Sequence, residues 1–577
     1  MASDTVPRAT PDGTVELPGT GRQAETRRIV ALSPAAGFGV ALAPALALAA
    51  LALLPRVHQN TTLLGTFLGA AGVLGAWNLL LVVASLRRRG HARTRSLEIA
   101  PRAQHYLQAC AQASVLLYWG WHWAPVYDAV PLIAGQLAFA YGFDLLLGWS
   151  RRDAHRVGFG PVPVVFSINL FLWFGDDWFY FQFLLVALGF AAKELLRWER
   201  DGRRVHIFNP ASFPLAVFAL ALIATGTSGL TWGQDIAISQ FYPPHMYLVI
   251  FLIALPGQYL FGVTTMTMAA VVSTYTLGLL YFAATGVYFF YDSYIPIAVF
   301  LGMHLLFTDP STAPRTELGR LLFGMLYGLS TVALYVLLDR AGAPTFYDKL
   351  LQVPLLNLSV IAIDRAVRSS PLRRLDPAAL GRALAPRRRH LAYMGVWAVV
   401  FAAMSAAGGA GDRHPGQWLP FWQQACADGR PHACRYLAAK QSGHCNSGSG
   451  WACNEAGILR AALSESARPG GAGDAQAHPR GAGVEDDSAE VGDVEAALAF
   501  ARGCELGFEP ACANVRAMVE GMAAAFERAP PPLDDYPIIL RGSKGPVADR
   551  DPAALHALAC RQGWPGACES VGAASRP

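Results

Sequence analysis

Eight of the nine cysteines of this chain fall into four copies of one pattern, CxxGxxxAC: Cys426 with Cys434, Cys445 with Cys453, Cys504 with Cys512, and Cys560 with Cys568. Each copy has a glycine three residues after the first cysteine (Gly429, Gly448, Gly507, Gly563) and an alanine directly before the second (Ala433, Ala452, Ala511, Ala567). The spacing reads as a helix-turn-helix junction closed by a disulfide. The first cysteine takes the last helical turn, glycine supplies the left-handed residue that ends the helix, and the small alanine lets the next helix approach. Asp551-Pro552, an N-cap followed by proline at the first helical position, starts such a helix just before Cys560. Closing so short a loop is worth roughly 2.5 kcal/mol in the chain-entropy model. Zinc is the competing reading of paired cysteines, but structural zinc sites favour ligands about two to four residues apart. Haem c attachment needs a CxxCH run, which the sequence lacks.

Bridged cysteines belong outside a reducing cytoplasm. The rest of the chain speaks to the same question. Of its 577 residues 53% are hydrophobic and only 15% charged, and the apolar residues concentrate before about residue 407. This predicts an all-α protein: a polytopic membrane domain over 27–410, followed by a disulfide-stapled helical domain over 411–577. Residues 1–26, polar and rich in Pro, Gly and Thr, read as a disordered cytoplasmic leader, and 466–492 as a disordered insertion in the tail. The net charge of +5 does not call for nucleic acid, because the arginines cluster in short loops between apolar runs.

Those runs suggest about thirteen spans: 29–54, 61–86, 103–121, 128–149, 157–174, 178–196, 207–224, 247–263, 264–289, 295–307, 321–338, 350–363 and 391–407. The tenth and twelfth are short for a span of about 20 residues. Arginines fall mainly in alternate loops, among them Arg87 to Arg95, Arg151 to Arg156, Arg197 to Arg204, Arg315 with Arg320, and Arg373 to Arg389. The positive-inside rule then puts the N-terminus in the cytoplasm and, with an odd number of spans, the tail in the periplasm of a bacterial-type plasma membrane.

The tail resembles the cysteine-rich class of Sel-like repeats, helical-pair solenoids related to tetratricopeptide repeats, over roughly residues 418–570. That resemblance implies a protein partner on a concave face. Spacing between the four copies is uneven, unlike a regular solenoid. The membrane domain carries two further motifs: His206-Ile207-Phe208-Asn209-Pro210-Ala211, and Thr308-Asp309-Pro310-Ser311-Thr312-Ala313-Pro314-Arg315 followed by Gly319-Arg320. In that order they resemble the NqrB/RnfD family, the membrane subunit of Nqr- and Rnf-type electron-transport complexes, over roughly 160–340. The resemblance implies a place for His206, Asn209, Thr308 and Asp309 near a cofactor. It also implies FMN linked through phosphate to a threonine of an outer SGAT-type sequence. Ser228-Gly229-Leu230-Thr231 stands where that sequence is expected, with Thr231 as the candidate, although leucine replaces its alanine. Each motif also has a plain structural reading, Asn209-Pro210 as an N-cap with proline and Asp309-Pro310 as a turn that stops a helix.

Asp144 reads as bundle-facing or interfacial, and His122, His245 and His304 as interfacial or packing residues rather than haem ligands. Trp119, Trp121, Trp123, Trp173, Trp178 and Trp232 read as an aromatic belt, and Cys110 as a free thiol within a helix. Three functions fit: a flavin-associated electron-transport subunit, a cofactor-free scaffold or assembly factor, and a transporter with proline-interrupted spans at Pro256, Pro296 and Pro354. No Walker, nucleophile-elbow, HExxH or Rossmann motif marks a soluble-type enzyme.

Overall fold

The computed structural model describes residues 28–87, 95–380, 384–467, 487–520, 526–542, 545 and 547–569. The expected leader and most of the expected insertion lie outside these residues; the insertion's two ends belong to the helices Gly450–Ala467 and Asp487–Glu505. With 72% helix and 5% strand, the chain is all-α overall. It divides into two compact units, one running to Leu277 and resuming over Ile295–Gly411, the other made of Gly278–Tyr294 and the chain from Asp412.

Six helices among the described residues are long and apolar enough to cross a membrane: Pro34–Leu51, Thr61–Ser85, Val130–Arg151, Thr264–Thr285, Glu317–Arg340 and Thr345–Val367. This corrects the expectation of about thirteen. The other runs also contain helices, but shorter or more polar ones. Run 157–174 yields only Pro161–Asn169, 207–224 yields Ser212–Thr225, and 295–307 yields Ile297–Leu301 continued by the π-helix Gly302–Leu306. Ala103–His122 is long but carries Gln104, His105, Gln108 and Gln112, and Pro386–Ala406 opens on three arginines. The physical reason is burial. Every residue of Ile297–Leu306 is buried in protein, so its apolar side chains answer to neighbouring helices rather than to lipid. In the opposite direction, the run 350–363 that reads as short belongs to one of the six long helices.

Close approach of long helices rests on small residues. A Cβ placed at Gly324 would lie 2.2 Å from the Met266 carbonyl oxygen, and one at Gly328 2.1 Å from Ser273 Oγ, so the glycines four apart on Glu317–Arg340 let it sit directly on Thr264–Thr285. Two small β elements had no counterpart in the sequence reading. Arg28–Leu32 pairs antiparallel with Arg95–Ile99, which pairs parallel with Ala154–Val157. Arg197–Arg200 and Arg203–His206 form a hairpin closed by Asp201 (φ 51°) and Gly202 (φ 71°). The aromatic belt also needs correction: Trp119 and Trp173 are buried, Trp119 stacks on Trp123 and Trp123 on Trp173, while Trp121 is 79% exposed. Cys110 is a free, exposed thiol on Ala103–His122.

The second unit shows why CxxGxxxAC has its composition. All four disulfides join the two cysteines of one copy, with Cα–Cα separations of 4.6, 4.5, 4.6 and 4.7 Å. In every copy the glycine is left-handed: φ is 67° at Gly429, 103° at Gly448, 82° at Gly507 and 85° at Gly563. Its N–H donates to the carbonyl of the first cysteine, and the next N–H donates to the residue before that cysteine, as in Gly429 to Cys426 and Arg430 to Ala425. The same pair of bonds recurs at Gly448, Gly507 and Gly563, a Schellman stop repeated four times. Ala433, Ala452, Ala511 and Ala567 are all buried, at exposures of 2% or less, so a larger side chain there would push the stapled helices apart. Asp551 caps the last of the unit's long helices, accepting from Ala554 N at 3.0 Å.

Two histidines of this unit give it an acid limit. Burial pushes the His414 and His444 imidazoles down to about 3, and at His444 the nearby Lys440 and Arg541 add to the effect. Because the folded values lie below the ordinary 6.5, the unfolded chain takes up these protons first. The stability is present above pH of about 6.5 and is lost as pH falls towards about 3. Near-UV circular dichroism melts of the full chain should therefore show a falling midpoint across that window, with a smaller fall in His444→Phe; equal falls would contradict the assignment.

Candidate functional site

The two motifs of the first unit come together, although about a hundred residues separate them in sequence. His206 ends the hairpin strand Arg203–His206, and its Nε2 lies 3.3 Å from Asp309 Oδ2. Asn209 serves three groups at once. Its Oδ1 accepts from Ala211 N and Ser212 N at the start of Ser212–Thr225, and its Nδ2 donates to the Leu306 carbonyl at 3.0 Å, where the π-helix ends. Thr308 Oγ1 donates to the His304 carbonyl at 2.8 Å, and Asp309 Oδ1 accepts from Ser311 N at 2.9 Å. Burial alone would push the Asp309 carboxyl up, but the His206 imidazole and the Ser311 contacts outweigh it and hold the carboxyl below its usual range.

Residues that the sequence reading gave no functional place complete this junction. Arg200, read as an orientation charge, is buried. Its guanidinium donates to Asp364 Oδ2 at 2.6 Å and to the Ala313 carbonyl at 2.9 Å, while Asp364 Oδ1 accepts from Arg315 N at 3.0 Å. Asn357 accepts from Asn209 N and donates to the Thr312 carbonyl, tying both motifs to the long helix Asp348–Val367. Asp201-Gly202 is the local signal that leads to Arg200, because a two-residue Asp-Gly loop marks a tight hairpin and sets the register of its flanking strands.

The loop Ser228-Gly229-Leu230-Thr231 forms a separate group. The 14-residue helix Ser212–Thr225 stands between it and the junction, a length of about 21 Å. Thr231 is half-buried and its Oγ1 donates to the Ser228 carbonyl at 3.0 Å; Tyr347 Oη donates to Ser228 Oγ at 3.0 Å, and Gly229 is exposed. Backbone bonds from Gly175 N to Leu230 O and from Trp232 N to Trp173 O fasten the loop to the segment after Pro161–Asn169.

Beside this loop lies a cavity of about 560 Å³. Trp173, Phe174, Phe179 and Trp232 contribute aromatic surface, and Gln136 and Asn169 contribute amides. Those amides are buried and bond each other reciprocally, at 3.1 and 2.8 Å. Three charged groups also line it: Asp128, and Arg56 bound to Asp176 by two hydrogen bonds of 2.8 Å. Thr231 is not among the residues that line it, whereas its neighbour Trp232 is. An aromatic cavity with a few convergent polar groups, and a volume inside the usual 300–1,000 Å³ range, suits a planar organic ligand. No local pattern leads to this group, because it assembles from four separate stretches of chain and its tryptophans read singly as membrane anchors.

No protein-family model matches the chain, and neither a curated protein nor a solved structure matches it.

Proposed function

We propose that the chain is an integral membrane protein of the NqrB/RnfD type, an electron-transport subunit that holds a planar electron carrier, FMN or another flavin, without a covalent link in the cavity beside loop 228–231. The observation that supports this reading most is that cavity, with Trp173 and Trp232 for stacking and the Gln136–Asn169 amides for hydrogen bonding. Arg56 would face an anionic group at the more exposed side, where it is already paired with Asp176. The Thr231 hydroxyl, bonded to Ser228 and absent from the cavity wall, favours a non-covalent carrier over one esterified there. Such a carrier would supply the electron-transfer chemistry; the protein's part is to bind, orient and shield it. The C-terminal unit belongs, in this proposal, on the periplasmic side, where its disulfides persist and its Sel-like helical pairs meet a protein partner.

A second reading is a cofactor-free scaffold or assembly factor. It is favoured by the junction of the two motifs, where His206, Asn209, Thr308 and Asp309 are engaged with protein groups. The absorbance spectrum of the purified protein separates the two. The first reading expects a yellow protein whose flavin is released on denaturation, is retained by Thr231→Ala, and falls at least tenfold in occupancy in Trp232→Ala. A colourless protein sinks it in favour of the scaffold, and a flavin that stays with the denatured chain and is lost in Thr231→Ala would show the covalent arrangement instead.

A further inference from the structure

The first unit holds a second polar cavity. The π-helix Gly302–Leu306 carries His304, which is 2% exposed. Its Nδ1 lies 2.7 Å from the Phe300 carbonyl, so Nδ1 bears the hydrogen and Nε2 is left as an acceptor. Among the described residues nothing donates to that Nε2. Gln258, also 2% exposed, has no partner among the described residues for either its amide nitrogen or its amide oxygen. Both residues line one cavity of about 10 Å³, together with Gln108 and Thr308, and among the described residues no charged one lines it.

Three unpaired polar atoms in a protein interior would each cost about 1–3 kcal/mol. Their convergence on a space about the size of one water molecule has a simple resolution. A π-turn inside a helix, commonly found at functional sites, adds that this segment departs from regular geometry where His304 stands. A metal ion is a poor guest, since the lining offers one imidazole and neutral amides without a carboxylate or thiolate. A planar cofactor is far too large.

We propose that this cavity is a specific hydration site. One water donates to His304 Nε2 and accepts from the Gln258 amide nitrogen, giving an imidazole buried among apolar helices a water partner for hydrogen bonding and proton exchange. The inference is independent of any flavin, because it concerns a different cavity.

Solid-state NMR of the full chain in lipid, labelled with ¹³C-carbonyl methionine and ¹³C,¹⁵N-histidine, tests this directly. Met303-His304 is the only Met-His pair in the sequence, so His304 is identified without a variant. The expected result is an Nδ1–H tautomer, an Nε2 resonance shifted from the bare acceptor position by a hydrogen bond, and magnetisation transfer from water to the ring. In Gln258→Leu the water transfer should fall at least threefold and Nε2 should move to the bare position. An unbonded Nε2 without water transfer in the native protein, an Nε2–H tautomer, or an unchanged spectrum in Gln258→Leu would each overturn the proposal. The native measurement stands even if the variant does not fold.

Discussion

Reduction of the four disulfides is expected to unfold the C-terminal unit at room temperature while the helices of the apolar unit stay folded. Each bridge closes a loop of eight residues' separation, worth roughly 2.5 kcal/mol in the chain-entropy model. If the four act additively they supply about 10 kcal/mol, comparable to the whole stability of an ordinary domain. Without them the unit relies on one main cluster around Trp422, Trp451, Phe508 and Trp564 with a small satellite at Phe500, whose burial is largely offset by the entropy of ordering the chain. Near-UV circular dichroism from those tryptophans should collapse on reduction, and most far-UV helical signal should remain. Cys445–Cys453, whose cysteines are 4% and 0% exposed, should be the last bridge reduced. A reduced protein that melts as the oxidised one does would show that the packing, not the staples, holds the unit.

Breaking the Arg200–Asp364 pair from one side is the second large effect. Both side chains are nearly buried, at 5% and 8%, and each is bound to backbone groups of the second motif as well as to the other. Asp364→Ala leaves a guanidinium in the interior with only the Ala313 and Ser311 carbonyls, and a stranded buried charge costs about 3–5 kcal/mol. Arg200→Met strands the carboxylate in the same way. The double variant Arg200→Met/Asp364→Leu should recover most of the loss, because removing both charges removes the uncompensated one. Thermal unfolding in detergent, run as a double-mutant cycle, reads the coupling. Single variants that each cost less than about 1 kcal/mol would mean that the pair behaves like an exposed surface bridge.

The features that were legible in sequence share a property: each is written within a few consecutive residues. CxxGxxxAC specifies its own turn, so the pairing, the left-handed glycine and the tight alanine could all be read from nine positions. The two membrane motifs were legible as a pair, and the structure joins them through His206, Asp309 and Asn209. The span count was not legible, because an apolar run facing other helices looks like one facing lipid. Ile297–Leu306 and Pro161–Asn169 are apolar for the first reason and too short for the second. Arg200 was misread for a related cause: an arginine in a short loop resembles an orientation charge until the Asp201-Gly202 hairpin is seen to turn it towards Asp364. The tryptophan-walled cavity depends on contacts between distant segments that no local pattern encodes.

Because the six helices long and apolar enough to span are counted among the described residues only and by length and composition, span parity does not fix the side of the tail, and the outer placement we propose rests on its thiol chemistry. Thiol labelling of right-side-out membrane vesicles with an impermeant maleimide tests that placement most directly. The expected result is no labelling of the eight tail cysteines before reduction and full labelling once an impermeant reductant has been applied from outside. Labelling of those cysteines without any reductant, or none after the impermeant one, would contradict a disulfide-stapled unit on the outer face.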